Sequence, residues 1–513
     1  MTDNANLYAH FQKKFPSDLN TELLCTAEGR SVSYCEAEMA SARIASTLLQ
    51  LGAVRGDRIT VQVEKSVENL FLYFACLRAG LVYHPLNTAY TAAELAYFLG
   101  DAEPSVVVCA SGSRGTIESV LPSSGVKAVL ILDQDGSGSL MERAANESDE
   151  AEVARCEGSE MAALLYSSGT TGRPKGIVLS HDNLRKNAET LVDLWGFSAS
   201  DRLLHMLPIY HVHGLFVGVS CVLLSGASMS WHSAFSDKAA VTALEDCTVM
   251  MGVPTYYTRL LSNPDFGASC CSSMRLFISG SAPLLAETFV EFEQRTGHVI
   301  LERYGMTETG MNTSNPLHGE RRAGTVGPAL PGVELRVVDE SGETMSNARV
   351  SGEIGDLQVK GPNVFQGYWG MPEKTAEDFT ADGFFNTGDK ASIDEDGYVS
   401  IVGRAKDLVI CGGLNVYPKE IELVIDDIPG VKESAVIGIP HVDFGEAVVA
   451  VLIIDDSDPN VSAPSAEKVI EHCRKQLANF KVPKQVEIIE ALPRNAMGKV
   501  QKNLLRERFS VSD

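Results

Sequence analysis

None of the eleven cysteines of this chain stands in a Cys-x-x-Cys pair, and several lie inside apolar runs. An odd number of unpaired positions excludes a disulfide framework and a zinc ribbon built on paired thiolates, and predicts free, buried thiols in a reducing compartment. Long apolar runs are also missing. The longest, Leu70–Leu77 and Ala447–Ile454, fall far short of the roughly twenty residues of a membrane span. The amino terminus, Met-Thr-Asp-Asn-Ala-Asn-Leu, lacks the basic and apolar segments of a signal peptide, and Asp3 argues against a transit peptide, so a cytoplasmic location is expected. Cations are scarce: 43 Lys and Arg face 67 Asp and Glu, a net charge of −24. Such a surface repels nucleic acid and anionic bilayers, so neither is an expected partner and any phosphate site must be local. No repeat marks a solenoid.

What is present is a chain of 513 residues, 44% hydrophobic and 21% charged, enough for about three globular units. Short β-rich runs alternate with helical patterns: Arg58–Val63, Ser105–Ala110, Ala128–Asp133, Ala162–Tyr166, Thr248–Val253, Arg275–Ser279 and Val299–Glu302. Runs without in/out alternation belong to strands buried on both faces, which predicts an α/β fold with a doubly wound parallel sheet, or two. Ligands then belong at the carboxyl ends of the strands. From Gly332 the chain turns to Gly-punctuated strands (Glu334–Asp339, Glu353–Lys360, Tyr398–Val402), a small β-rich subdomain. The last hundred residues read as a small α+β unit: a helix near Pro418–Ile428, strands Glu433–Ile439 and Ala447–Ile454, a helix near Ser465–Leu477 and a strand Gln485–Ile489. The polar stretches Gln134–Glu160 and Asp455–Ser465 read as surface loops.

The strand ending at Tyr166 runs into Ser167, Ser168, Gly169, Thr170, Thr171, Gly172, Arg173, Pro174 and Lys175. Open glycine amides beside hydroxyl and ammonium donors suit a polyphosphate. It is not a Walker A loop, because Pro174 stands where glycine is required and Gly176 follows the lysine. Taken alone, a Gly/Ser/Thr cluster is more often a plain turn.

The loop nevertheless resembles the phosphate-binding signature of the adenylate-forming enzymes, the superfamily of acyl-CoA synthetases, luciferases and carrier-loading adenylation domains. Further markers follow in that superfamily's order: Ser279-Gly280-Ser281-Ala282-Pro283-Leu284, Tyr304-Gly305-Met306-Thr307-Glu308, Asn386-Thr387-Gly388-Asp389, Gly403-Arg404-Ala405-Lys406-Asp407 and Pro493-Arg494-Asn495-Ala496-Met497-Gly498-Lys499. The closer resemblance is to malonyl-CoA synthetases, through Leu207–Leu215, Gly252–Arg259 and Glu302–Glu308 followed by Met311–Pro316, with Val212 where His-Thr-His is expected.

The resemblance implies an N-terminal domain over 1–403, its β-rich part about 332–403, and a mobile C-terminal domain over 404–513 hinged near Lys406. It implies ATP-dependent ligation of malonate, with methylmalonate as a second candidate, to coenzyme A through an acyl-adenylate. The alternatives are a ligase for another small or aryl acid and a silent nucleotide-binding protein; the latter should have lost Lys499, Glu308 or Asp389. Lys175 and the loop residues 167–172 would hold the outer phosphates, with Mg²⁺ on Glu308 and Thr170. Thr307 would donate to the α-phosphate, and Lys499 would bridge it to the carboxylate. Gly280, Ser281, Ala282, Glu302, Arg303, Tyr304, Gly305 and Met306 would line the nucleotide, with Asp389 and Arg404 on the ribose. Gly412 and Gly413 would line the CoA tunnel. His211, His213, Arg259, Ser281 and Met306 would meet the acid, Arg259 pairing with its second carboxylate. A lysine acetyltransferase acting on Lys499 is a further expected partner, since acetylation removes the charge.

Overall fold

The computed structural model describes residues 4–166, 174–339, 341–345, 353–411, 414–441, 445–455, 463–477, 479–495 and 498–510. They form two compact units. The first comprises Met1–Ala323, Ala329–Val333 and Lys360–Asp378; the second comprises Gly324–Pro328, Glu334–Val359 and Phe379–Asp513.

The first unit is built on two sheets with helices between their strands. One has six strands in the order Ala128–Ile131, Val106–Cys109, Arg58–Gln62, Val82–Pro85, Met161–Tyr166 and Gly176–Ser180. The other has eight: Gly310–Ser314, Leu301–Met306, Leu276–Ser279, Val249–Gly252, Arg202–His205, Ser228–Trp231, Glu22–Thr26 and Ser31–Ser33. Their inner strands are parallel and buried, as uninterrupted apolar runs require. The expected parallel sheets carry antiparallel pairs at their edges. Met161–Tyr166 pairs antiparallel with Gly176–Ser180, Leu301–Met306 with Gly310–Ser314, and Glu22–Thr26 with Ser31–Ser33. Each of these pairs is joined by a short connection, which only antiparallel strands allow.

Helix starts follow local sequence. Ser180 caps His181–Leu194 and Thr91 caps Ala92–Ala102, each in a reciprocal box with Asn183 and Glu94 respectively. The stretch read as a loop from Gln134 contains a short helix, Ser139–Ala144, which buries Leu140 and Ala144 and owes its existence to that packing. Behind the larger sheet, Tyr257, Phe277, Phe292 and Phe266 form an aromatic core.

The second unit holds a four-stranded sheet, Glu334–Val338, Gly355–Lys360, Phe385–Ile393 and Val399–Arg404. It also holds a five-stranded sheet centred on Gly445–Ile454, which pairs with Val431–His441, Val409–Cys411 and Gln485–Ile488. The helices Pro418–Asp426 and Ala466–Gln476 cover it through Ile421, Ile425, Val469 and Cys473. The α/β class and the small α+β unit are as expected. All eleven cysteines are free and nine are buried, and no helix among the described residues is long and apolar enough to cross a membrane.

Candidate active site

Strand order in the eight-stranded sheet reverses beside Arg202–His205, which lies between Ser228–Trp231 and Val249–Gly252. At such a switch point the outgoing connections diverge and leave a crevice at the carboxyl ends. The residues singled out in the sequence gather on those ends. His211 and His213 follow Arg202–His205, Arg259 follows Val249–Gly252, Gly280 to Ala282 follow Leu276–Ser279, and Glu302 to Met306 lie on Leu301–Met306 itself. The last strand runs four residues beyond its expected end at Glu302, because Gly310–Ser314 folds back to pair with the extension.

Arg303 is the most unusual of them. It is 2% exposed, and Nε and Nη2 have no hydrogen-bond partner among the described residues. These two nitrogens form the edge of a guanidinium that presents parallel N–H bonds to a carboxylate. Burial pushes its pKa down to about 9, which leaves it cationic at neutral pH. The group lies against Gly280, where a Cβ would stand 2.4 Å from Cζ. His213 is buried with both ring nitrogens unpartnered among the described residues; its pKa is held well below the ordinary value by burial first, then by the Arg303 charge. The Ser279 hydroxyl is buried in the same condition. Ser281 adopts φ +72°, a left-handed conformation uncommon for a serine.

His213 opens a π-helix, His213–Val219, a geometry frequent at functional sites. A buried tether that the sequence reading missed holds this helix. His205 Nε2 donates to the Gly214 carbonyl (2.9 Å), which leaves Nδ1 to accept from Lys65 Nζ (2.8 Å). Lys65 also donates to the His205 carbonyl and stands 4.2 Å over Trp231. Two charged-type residues 140 positions apart carry no local signal of their pairing.

His211 is half-buried, its Nδ1 accepting from the His213 N–H at 3.4 Å. Arg259 is exposed in the last turn of Pro254–Ser262; its charge reaches the Tyr256 phenol, which burial pushes up to about 12. The Tyr304 hydroxyl donates to Met306 Sδ at 3.9 Å. Thr307 and the buried Glu308 occupy the turn to Gly310–Ser314. Lys175 donates to the Tyr368 hydroxyl (2.9 Å) and reaches Asp378 Oδ2 at 3.3 Å.

In the second unit, Asp389 is buried and pairs with Arg404 Nε at 2.9 Å across adjacent strands, while Arg404 Nη1 donates to the Thr387 carbonyl. Lys406 is exposed in the turn Ala405–Asp407, and Asp407 pairs with Arg506 at 2.8 Å. Lys499 is exposed, its N–H donating to Asn495 Oδ1. Ser167, Ser168, Gly169, Thr170, Thr171, Gly172, Gly412 and Gly413 lie outside the described residues. Among the described residues no group of three or more His, Cys, Asp or Glu side chains forms a metal cage. The hard carboxylate of Glu308 fits magnesium, which takes one or two carboxylates together with substrate phosphates.

The profile described as "AMP-binding enzyme" matches residues 11–369, and that of the "AMP-binding enzyme C-terminal domain" matches 420–499. Among solved structures, the chain is 52% identical to ATP-bound MatB from Rhodopseudomonas palustris, with a TM-score of 0.95 over 99% of both chains. It is 32% identical to the malonate–CoA ligase of Arabidopsis thaliana, over 99% of this chain and 90% of that one. It is 34% identical to a feruloyl-CoA synthase of Amycolatopsis, over 94% of each.

Proposed function

The chain belongs to the AMP-binding enzymes and is an AMP-forming acid–thiol ligase, and we propose that the acid it activates is malonate, joined to coenzyme A through malonyl-AMP with release of pyrophosphate and AMP. The observation that carries this reading is the buried edge of Arg303, unpartnered among the described residues. A buried cation costs several kcal/mol unless an anion meets it. Malonate brings one: its distal carboxylate accepts from Nε and Nη2, with His213 and Ser279 as neutral donors beside it. A monocarboxylic acid leaves the guanidinium desolvated and alone. Exposed Arg259, the candidate in the sequence, gives less discrimination, because a solvated ion pair is worth about 0 to 1 kcal/mol.

In the first half-reaction an oxygen of the proximal carboxylate attacks the α-phosphorus and pyrophosphate leaves. Both reactants are anionic, so charge neutralisation is the task. Lys175 and the hydroxyls of 167–172 hold the outer phosphates. Glu308 and Thr170 would hold Mg²⁺, which would supply further neutralisation of the phosphate charge. Thr307 donates to the α-phosphate and Lys499 bridges it to the attacking carboxylate. Asp389 accepts from the ribose hydroxyls, fixed by Arg404. His211 and Met306 flank the acid. In the second half-reaction the CoA thiol attacks the acyl carbon and AMP leaves; Lys406 is the hinge, and Gly412 and Gly413 make room for the pantetheine arm.

A pyrophosphate-release screen across malonate, methylmalonate, acetate, butyrate and benzoate tests the substrate. Malonate is expected to exceed butyrate in kcat/KM by at least about tenfold, one decade being about 1.4 kcal/mol. A faster monocarboxylate overturns the reading.

A further inference from the structure

The turn that carries Thr307 and Glu308 is not held by its own sequence. Gly310 takes φ +58°, and a Cβ there would stand 2.6 Å from Asn187 Oδ1. Asn187, on the helix His181–Leu194, receives the Met311 N–H on Oδ1 (2.9 Å) and donates from Nδ2 to the Met311 carbonyl (2.8 Å). From the other side, Asn363 Nδ2 lies within reach of the Thr309 carbonyl (2.8 Å), the Met311 carbonyl (3.2 Å) and Asn312 Oδ1 (3.0 Å). Two residues on, the Phe365 N–H donates to the Glu308 carbonyl at 2.7 Å. Asn312 Nδ2 closes the network on Thr309 Oγ1 at 2.8 Å. Asn183, also on the helix, ties down the second arm by donating to the carbonyls of Pro362 and Val364.

We propose that Asn187 and Asn363 are positioning residues that set the placement of Thr307 and Glu308 for attack at the α-phosphorus. This rests on the reading of Thr307 and Glu308 given above. Both amides are buried, at 7% and 3% exposure, and both bond to backbone of the turn or of the strand that leaves it. A hairpin turn at the edge of a sheet otherwise relaxes readily, since little packs on it. Two amide side chains reaching it from separate segments remove that freedom, and a displacement of about 1 Å at a reacting group costs on the order of 100-fold. Both residues act through the turn, so their effect is expected in the half-reaction that uses it.

The test measures both half-reactions in the full chain for Asn187→Leu, Asn363→Leu and the isosteric Asn363→Asp, which sets a carboxylate against two carbonyls. Asn263→Ala is the control: its buried amide donates to Asp237, far from the turn in sequence. Expected is a loss of about 10- to 100-fold in ATP–pyrophosphate exchange, with KM for Mg·ATP raised about fivefold or more, while thioester formation from supplied acyl-AMP stays within about threefold. Asn263→Ala, matched for loss of Tm, should show no such split. Equal loss in both half-reactions, or unchanged exchange in a folded variant, overturns the proposal. If the leucine variants do not fold, Asn363→Asp carries the same comparison. Exchange is run with whichever acid the wild type uses fastest, so a wrong assignment of malonate leaves this test intact.

Discussion

The guanidinium of Arg303 occupies the space that a side chain at position 280 would need: a methyl group on Gly280 would meet Cζ and Nη1 at 2.4 Å. Gly280 has no left-handed backbone to protect, so its substitution probes room alone. Gly280→Ala is therefore expected to displace Arg303 with little loss of Tm, lowering kcat/KM for malonate by about ten- to a hundredfold through misplacement of the fork. Paired malonate and butyrate kinetics check this; an equal fall for both acids means that the glycine serves the nucleotide instead.

Substituting Arg303 itself separates it from Arg259. Arg303→Leu leaves the distal carboxylate buried without a partner, a loss on the order of 3 to 5 kcal/mol, or roughly two to four decades in kcat/KM for malonate. Butyrate should hold steady or improve. Arg303→Lys should retain part of the malonate activity, since it keeps the charge without the two-pronged geometry. Arg259→Leu should cost about tenfold or less. The reverse ranking returns the second carboxylate to Arg259.

Lys499→Ala is expected to abolish pyrophosphate release from ATP and malonate while sparing thioester formation from supplied malonyl-AMP. Gly413→Leu should do the opposite. Acetylation at Lys499 removes the charge and should reproduce the first result. Full activity in a preparation stoichiometrically acetylated at this position, checked by intact mass, would refute the role.

Acid sensitivity should begin in the first unit. His181 is buried, with Nδ1 accepting from the Leu7 N–H at 3.1 Å, and its pKa is pushed down to about 4, mainly by burial. Below about pH 6.5 the unfolded chain takes up a proton that the folded ring refuses. Stability is thus intact above that value and lost as pH falls toward 4, by about 1.4 kcal/mol per pH unit. His181→Asn keeps an acceptor and removes the titration, so its loss between pH 7 and 5 should be smaller by about 2 kcal/mol. Urea unfolding followed by tryptophan fluorescence measures this, because Trp195, Trp231 and Trp369 all lie in the first unit.

Strand runs and ordered motifs made the α/β class and the family legible, because both are written in contiguous residues. Val106–Cys109 and the Ala447–Ile454 run of Gly445–Ile454 announce themselves by unbroken apolar character. Ser228–Trp231 does not, since its alternation of half-buried and buried residues spans only four positions. The sequence names the candidate residues of the site but carries little of their arrangement. Arg303 read as part of a nucleotide motif; its burial and its closeness to Gly280, on which the proposed role toward the acid rests, are visible only in three dimensions. Lys65 with His205, and Asn187 with Asn363, work through partners distant in sequence; only the tertiary fold brings them together.

The π-helix His213–Val219 makes the pocket depend on how many residues the chain has there as well as on which ones. A π turn is an α turn with a residue to spare, and each residue of a helix advances the face by about 100°. Deleting one position from 215–219 would let the segment rewind as α-helix and swing His213 relative to the Gly214 anchor, with every side chain named above still present. Relatives that share this histidine but differ by one residue in the segment should therefore differ in the acids they accept, and an alignment that scores identity alone would rank them as equivalent.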